Sequence, residues 1–555
     1  MATNTISMST IRTRLAPTHF HRKSFNINHP SLSSTRFGTN PRKFKLYCNN
    51  NSSPSTYTAT TTETPKAVIE EVYEKSAVPA EDTVDEKFDW YSEWYAMAPL
   101  SDLDKKVPHG MTIMGIKLVV WWDRNEEQWK VFDDSCPHRL APLSEGRIDK
   151  WGRLQCVYHG WCFNGSGSCK FIPQAPLDTT PVHTSKKACV ASYPCTVQHD
   201  ILWFWPNSDP KYRDILTKKQ PPYIPELEDP NYTRSMGVRD LPYGYEILVE
   251  NIMDPAHVPY AHYGLMPPMP VDKTKPIADR ENGRPMNFSV EKIEKSGFSG
   301  NQPGGYNKFM APCIFYMAPN RFAKGTEDDA QKKEQERRLL IFICIPVSPG
   351  KCRAILVFPR NFMQWIDKII PRWAFHIVHN LVLDSDLKLL HGEEQRLLDK
   401  GGKWQKAYYM PTKADAMVIA FRKWLDKYAG EGVDWGNKYE SAQLPPTPPK
   451  DVLLDRYWSH TVNCTSCSKA YKGFNLAKTV LQILSFALIG VVGLVKQKPL
   501  VFATALLCFA ASKFLSTFIS KNFHFHDYNH AHVKDAKPVM GNIVPGFKMR
   551  PLNTK

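Results

Sequence analysis

Polar and apolar positions divide the chain into stretches with different periods. Order is expected to begin near Phe88-Asp-Trp-Tyr-Ser-Glu-Trp-Tyr95. From there to about residue 207, short β-type runs recur: Ile116-Lys-Leu-Val-Val-Trp-Trp122, Trp129-Lys-Val-Phe132 and Ile201-Leu-Trp-Phe-Trp205. Gly, Pro and Asp punctuate them, which predicts an all-β unit. After the linker-like Pro221-Pro222-Tyr-Ile-Pro225, the pattern mixes. Strands are predicted at 338–345 and 353–358, and helices at 373–400 and 414–428, giving an α+β unit. Residues 479–495 then run uncharged, and 499–520 carry only Lys513. That is long enough for a tight pair of membrane-spanning helices.

Charge changes the picture at the N-terminus. The net charge is +16, yet residues 1–62 hold eight Lys/Arg and no Asp or Glu, so the rest carries 16 − 8 = +8. An acid-free, Ser/Thr-rich stretch without an apolar core is the composition of an organelle transit peptide. No focused basic helix with stacking aromatics occurs, so nucleic acid is not an expected partner. Thirteen Cys in 555 residues, without a secretory signal, point to metal or redox use rather than a disulfide scaffold.

Two constellations carry the chemistry. Cys136-Pro-His138 and Cys156-Val-Tyr-His159 are separated by seventeen residues. Two Cys and two His at this spacing are the ligand set of a Rieske [2Fe–2S] centre, Cys136 and Cys156 on one iron and His138 and His159 on the other. Zinc accepts the same donors. However, the flanks Arg139-Leu-Ala-Pro-Leu-Ser-Glu-Gly146 and Gly160-Trp-Cys-Phe163 closely resemble Rieske oxygenases. Downstream, Asp254-Pro-Ala-His257-Val-Pro-Tyr-Ala-His262 resembles their mononuclear iron motif, a two-His, one-carboxylate triad on Fe(II) with open positions for O2. The third ligand is expected on a later helix. Asp386 fits the family frame, with Leu389 and Leu390 following and Glu393 at the seventh position. Asp384 is the alternative, or else an exposed helix residue. By the same resemblance Asp254 bridges a His of each metal centre to pass electrons, and Asn251 supports the ligands from behind.

Residues 88–530 resemble the membrane-anchored Rieske-type oxygenases of the chloroplast, in the group of pheophorbide a oxygenase and the protochlorophyllide-dependent translocon component 52. Lys105-Lys-Val-Pro-His-Gly110 and Tyr223-Ile-Pro-Glu-Leu-Glu-Asp229 add to the likeness. The resemblance implies a mixed fold: an all-β Rieske domain, an α+β (helix-grip, START-like) catalytic domain and a C-terminal two-helix membrane anchor. The expected division is a chloroplast transit peptide at 1–62, a linker at 63–87, the Rieske domain at 88–215, the catalytic domain at 216–455, a CxxC segment at 456–472, a transmembrane hairpin at 476–520 and a polar tail at 521–555. Cofactors would be a [2Fe–2S] cluster and mononuclear Fe(II). No Gly-x-Gly-x-x-Gly follows a strand, so electrons come from a partner, for which ferredoxin is the natural donor. O2 and a small aromatic substrate complete the reaction. A head-to-tail homotrimer, an inner-envelope location and a redox-regulatory Cys464-x-x-Cys467 open to thioredoxin are further implications.

The proline-rich 267–273 and a shortened region at 316–325 depart from the usual pattern beside intact metal motifs. The branch also resembles flavonoid 8-hydroxylases, and that resemblance implies flavone C8-hydroxylation as the specific expectation, with protochlorophyllide a or a pheophorbide-type tetrapyrrole as the alternative substrate. A reading of another class is a redox-sensing subunit of the inner-envelope import translocon.

Overall fold

A computed structural model describes residues 87–176, 182–265, 283–302, 305–319, 337–439, 444–528 and 530. The expected transit peptide, the departure at 267–273 and most of the shortened region at 316–325 lie outside them.

The first domain is built from eleven short strands: β1 Tyr95–Pro99, β2 His109–Ile113, β3 Ile116–Asp123, β4 Gln128–Asp133, β5 Arg147–Ile148, β6 Leu154–Gln155, β7 Cys162–Phe163, β8 Cys169–Phe171, β9 Ser192–Tyr193, β10 Cys195–Gln198 and β11 Ile201–Phe204. They form antiparallel sheets in the orders β1-β11-β10, β2-β3-β4-β9 and β5-β6-β7-β8. Strand β3 shows why its sequence is apolar nearly throughout. Leu118 and Val120 enter the main core, whereas Val119 and Trp121 enter a second core around Cys136 and Cys156. Side chains of a strand alternate between faces, and here both faces are buried.

The second domain is a seven-stranded antiparallel sheet wrapped on helices. Its strands are β12 Met236–Leu241, β13 Ser289–Val290, β14 Gly297–Gln302, β15 Gly305–Met310, β16 Ile314–Pro319, β17 Leu340–Ser348 and β18 Lys351–Val357, in the order β12-β18-β17-β16-β15-β14-β13. Among its helices are α1 Tyr245–Met253, α2 Val258–Ala261, the long α3 Arg372–Asp399 and α4 Ala416–Tyr428. The domains share one core. Trp90 packs edge-on against Tyr245 and Trp424, with centroids 5.7 and 6.3 Å apart. Backbone bonds from Met114 and Gly115 to the carbonyls of Pro346 and Val347 (2.8 and 2.9 Å) join the β2–β3 turn to the end of β17.

The apolar tail forms two helices, α5 Thr465–Val491 and α6 Lys498–Ile519, packed on each other. Both are long and apolar enough to cross a membrane. Ser485 Oγ donates to the Ala505 carbonyl at 2.9 Å, and Ala505 and Ser512 are buried in the contact, while Ile483, Phe486, Leu507 and Phe514 point outward. Small residues between the helices and large apolar ones outside is the arrangement lipid favours. Helix α5 begins at Thr465, so Cys464 stands at its N-cap and Cys467 in its first turn, after a short helical turn at Tyr457–Thr461. Residues 521–528, expected in a polar tail, instead return to the catalytic domain. Arg456 N–H donates to the His524 carbonyl (2.7 Å), Arg456 Nη1 to the Lys521 carbonyl (3.1 Å) and Thr461 Oγ1 to the Phe523 carbonyl (2.8 Å). A buried guanidinium needs acceptors, and this returning backbone supplies them.

Candidate metal centres

Cys136–His138 and Cys156–His159 occupy matching loops. In one, Leu140 N–H donates to the Cys136 carbonyl (2.8 Å) and Cys136 N–H to the Ala141 carbonyl (2.9 Å). In the other, Gly160 donates to Cys156 (2.9 Å) and Cys156 to Trp161 (2.9 Å). Each loop turns on a left-handed residue, Leu140 at φ 59° and Gly160 at φ 78°. The two thiols are buried and face each other, and the two imidazoles lie outward with centroids 4.4 Å apart. Trp161 stacks on His138 at 4.8 Å and 9°. Burial and the neighbouring Cys156 push the Cys136 thiol up to about 12. A thiolate pair here therefore calls for a bound cation. Sulfur at one end and nitrogen at the other fits a two-iron cluster whose His edges reach the surface.

Helices α1, α2 and α3 bring His257, His262 and Asp386 together, with one donor atom of each lying within 4.8 Å of the others. Asp386 Oδ2 is 3.5 Å from His262 Nε2, and the two Nε2 atoms are 3.2 Å apart. The outer nitrogens are fixed as donors. His257 Nδ1 bonds the Asp254 carbonyl, and His262 Nδ1 bonds Ser385 Oγ at 2.7 Å. Ser385 can only accept there, because its own hydroxyl donates to the Val382 carbonyl at 2.6 Å. Two bare Nε2 lone pairs thus face each other, which a shared cation relieves. Electrostatics agree. Burial pushes Asp386 up to about 7, against the pull of His257 and a hydrogen bond from Asn251. Burial and His257 push His262 down to about 3. For His257, burial is outweighed by Asp254 and Asp386, and the net shift is upward. The three donors fit a divalent metal.

Asp384 is neither exposed nor near the histidines. It is buried between Arg239 (Nη2 to Oδ1, 2.8 Å) and Arg456 (Nε to Oδ2, 2.7 Å). Two helical positions apart means about 200° around the axis, so Asp384 and Asp386 serve opposite faces of α3. Asn251 Nδ2 lies 3.4 Å from His257 Nε2. Asp254 caps α1 and touches His257 through its backbone; its carboxylate is 3.7 Å from Nδ1. Cys464 and Cys467 are buried against His376 and His460. Sequence reasoning passed over Ser385 and Trp161. A seryl spacer between two Asp carries no local signal, although Trp161 lies inside the quoted flank.

Known proteins resemble this chain. A Rieske [2Fe–2S] domain model matches residues 93–194, and a pheophorbide a oxygenase model matches residues 309–404. The protochlorophyllide-dependent translocon component 52 of Arabidopsis thaliana is 55% identical over 80% of this chain and 86% of its own. Flavonoid 8-hydroxylase 2 of Ocimum basilicum is 52% identical over 81% and 87%. Pheophorbide a oxygenase of Oryza sativa is 37% identical over 82% and 87%. The chain belongs to this family of chloroplast Rieske-type oxygenases. It is an oxygenase with a [2Fe–2S] cluster and a mononuclear iron, and it requires an electron donor, O2 and a substrate.

Proposed function

We propose that the protein hydroxylates a polycyclic aromatic plastid substrate, with a flavone at C8 as the specific substrate and position. Kinship with a flavonoid 8-hydroxylase at 52% identity supports this reading. A second reading, protochlorophyllide a, is favoured by the 55% identity to a protein named for its dependence on that pigment.

When bound, the cluster passes single electrons and the mononuclear iron activates O2. Cys136 and Cys156 would hold one cluster iron and His138 and His159 the other, with Trp161 keeping the His138 ring in place. His257, His262 and Asp386 would hold the mononuclear iron from one side, leaving positions for O2. Asn251 orients Asp386, and Ser385 and the Asp254 carbonyl set both imidazoles. The Asp254 carboxylate would bridge to a cluster His of a neighbouring subunit in a homotrimer. Ferredoxin is the proposed donor and the inner envelope the proposed membrane.

The full-length protein in detergent, given ferredoxin, its reductase and O2, is offered methoxylated flavones and protochlorophyllide side by side. An 8-hydroxyflavone is the expected product. Pigment oxidation alone would move the assignment to the second reading, and product from neither would remove both.

A further inference from the structure

A second group of metal-ligating side chains lies well away from the iron donors, where the membrane helices meet the catalytic domain. His376 on α3, His460 in the approach to the membrane, and Cys464 and Cys467 at the start of α5 are all buried, with donor atoms within 4.8 Å of one another. The edge strand β12 fixes both rings. His376 Nε2 donates to the Met236 carbonyl (2.9 Å), and His460 Nδ1 to the Val238 carbonyl (2.5 Å). Those carbonyls stand on the open side of β12, where no strand among the described residues takes them. Each ring is therefore left with one bare nitrogen, and both bare nitrogens face the sulfurs.

The spacings suit one small ion. With metal–sulfur bonds of about 2.3 Å and metal–nitrogen bonds of about 2.0 Å, a tetrahedron has S···N edges of roughly 3.5 Å. His376 Nδ1 is 3.4 Å from Cys464 Sγ and 3.5 Å from Cys467 Sγ, and His460 Nε2 is 3.2 Å from Cys467 Sγ. Cys464 caps the N-terminus of α5, and Arg372 Nη2 lies 3.7 Å from its sulfur. Both features favour thiolate. Ile377, Phe523, Trp373 and Phe474 close an apolar shell around the four.

We propose that His376, His460, Cys464 and Cys467 bind one structural zinc ion that rivets the membrane hairpin to the catalytic domain. Zn2+ displaces one proton from each thiol, and the two thiolates offset its charge. All four positions come from protein, so the site is closed and not catalytic. It ties together three elements distant in sequence: β12 through the carbonyls, α3 through His376, and the membrane approach through the rest. A redox pair would need the two sulfurs alone. Two imidazoles locked with their lone pairs toward the thiols are what a metal adds to the requirement.

The full-length protein in detergent is assayed for metals by mass spectrometry and by zinc X-ray absorption. One zinc per chain is expected besides iron, with two sulfurs at about 2.3 Å and two nitrogens at about 2.0 Å. A mercurial that blocks thiolates should release it, read by a colorimetric zinc chelator. The Cys464→Ser/Cys467→Ser double variant should lose the zinc and keep the electron paramagnetic resonance signal of the reduced [2Fe–2S] cluster. Should that variant not fold, the absorption spectrum and the mercurial titration of the wild type still decide. Zinc ligated only by nitrogen and oxygen, absence of zinc even after incubation with zinc chloride, or a Cys464–Cys467 disulfide (a mass deficit of two hydrogens in the isolated protein) would each overturn the proposal.

Discussion

Asp384 and Asp386 show what single residues decide in this fold. Both are buried on α3, two positions apart, yet one neutralises arginines and the other faces the two histidines. Asp384→Asn leaves Arg239 and Arg456 without a counter-charge. Removing one partner of a buried ion pair costs about 3–5 kcal/mol. This variant should unfold at clearly lower denaturant while a folded sample retains both iron centres. Asp386→Asn should do the reverse, losing the mononuclear iron while the [2Fe–2S] absorbance persists; denaturant midpoints and iron counts per chain separate the two. Ser385→Ala removes the acceptor that fixes the His262 ring. Loss of such a supporting bond typically costs about 10–100-fold in metal affinity or activity, to be read from iron retention during dialysis against a chelator. At this scale the Cys136/His138, Cys156/His159 and His257/His262 pairs stand out because the members of each lie within one short stretch, whereas Asp386, far along the chain, was reached only through the family frame. The supporting groups were not. Arg239 and Arg456 reach Asp384 from far away in sequence, and nothing local distinguishes Ser385 from a spacer.

The elements were read well where one face of a run is polar and poorly where polar residues are buried. The predicted strand at 353–358 and helix at 414–428 match β18 (Lys351–Val357) and α4 (Ala416–Tyr428) closely. Helix α3 was placed within a residue of its ends, but its orientation could not be read. His376, Asn380, Asp384, Ser385, Asp386 and His391 are all buried, so polarity does not mark its solvent face. Its far end also carries a pH dependence. Burial and the facing Glu246 push the Glu394 carboxyl up from 4.5 to about 7, although Gly244 N–H donates to it at 2.9 Å. The folded protein therefore keeps a proton that the unfolded chain gives up. This stabilisation is full below pH 4.5 and is lost as pH rises through about 7. Glu394→Gln should melt like the wild type near pH ~5 and above it near pH ~8. The ligand loops are a second case. A Cβ on Gly160, at φ 78°, would meet Pro173 Cγ at 2.9 Å. Gly160→Ala should cost about 1–2 kcal/mol and lower cluster occupancy, read from visible absorbance.

Across the whole molecule, the division into a β domain, an α+β domain and an apolar hairpin was visible from changes of period alone. The return of the chain after α6 was not, because Ser520–His524 looks polar and its acceptors are backbone carbonyls, which every sequence has. That return determines how the protein can be made soluble. Cutting after residue 455 removes Arg456 from Asp384 together with residues 520–528. Deleting only 476–519 keeps both, and the flanks of the cut lie close, with the Phe474 and Phe523 rings 5.9 Å apart. The internal deletion, closed by a short linker, should yield a monodisperse protein with a higher melting temperature than the 455 truncation.

The strap of residues 520–528 also bears on how substrate arrives. Tyr528 OH donates to the Ala261 carbonyl at 3.5 Å, beside His262. Placed in a bilayer, a hairpin anchored at both ends in this way would not act as a loose tether and would hold the iron donors at a set height. A substrate dissolved in that lipid would then search for the site in two dimensions. Its turnover should follow its mole fraction in the membrane rather than its amount per volume, and adding inert lipid at constant total substrate should slow the reaction by surface dilution.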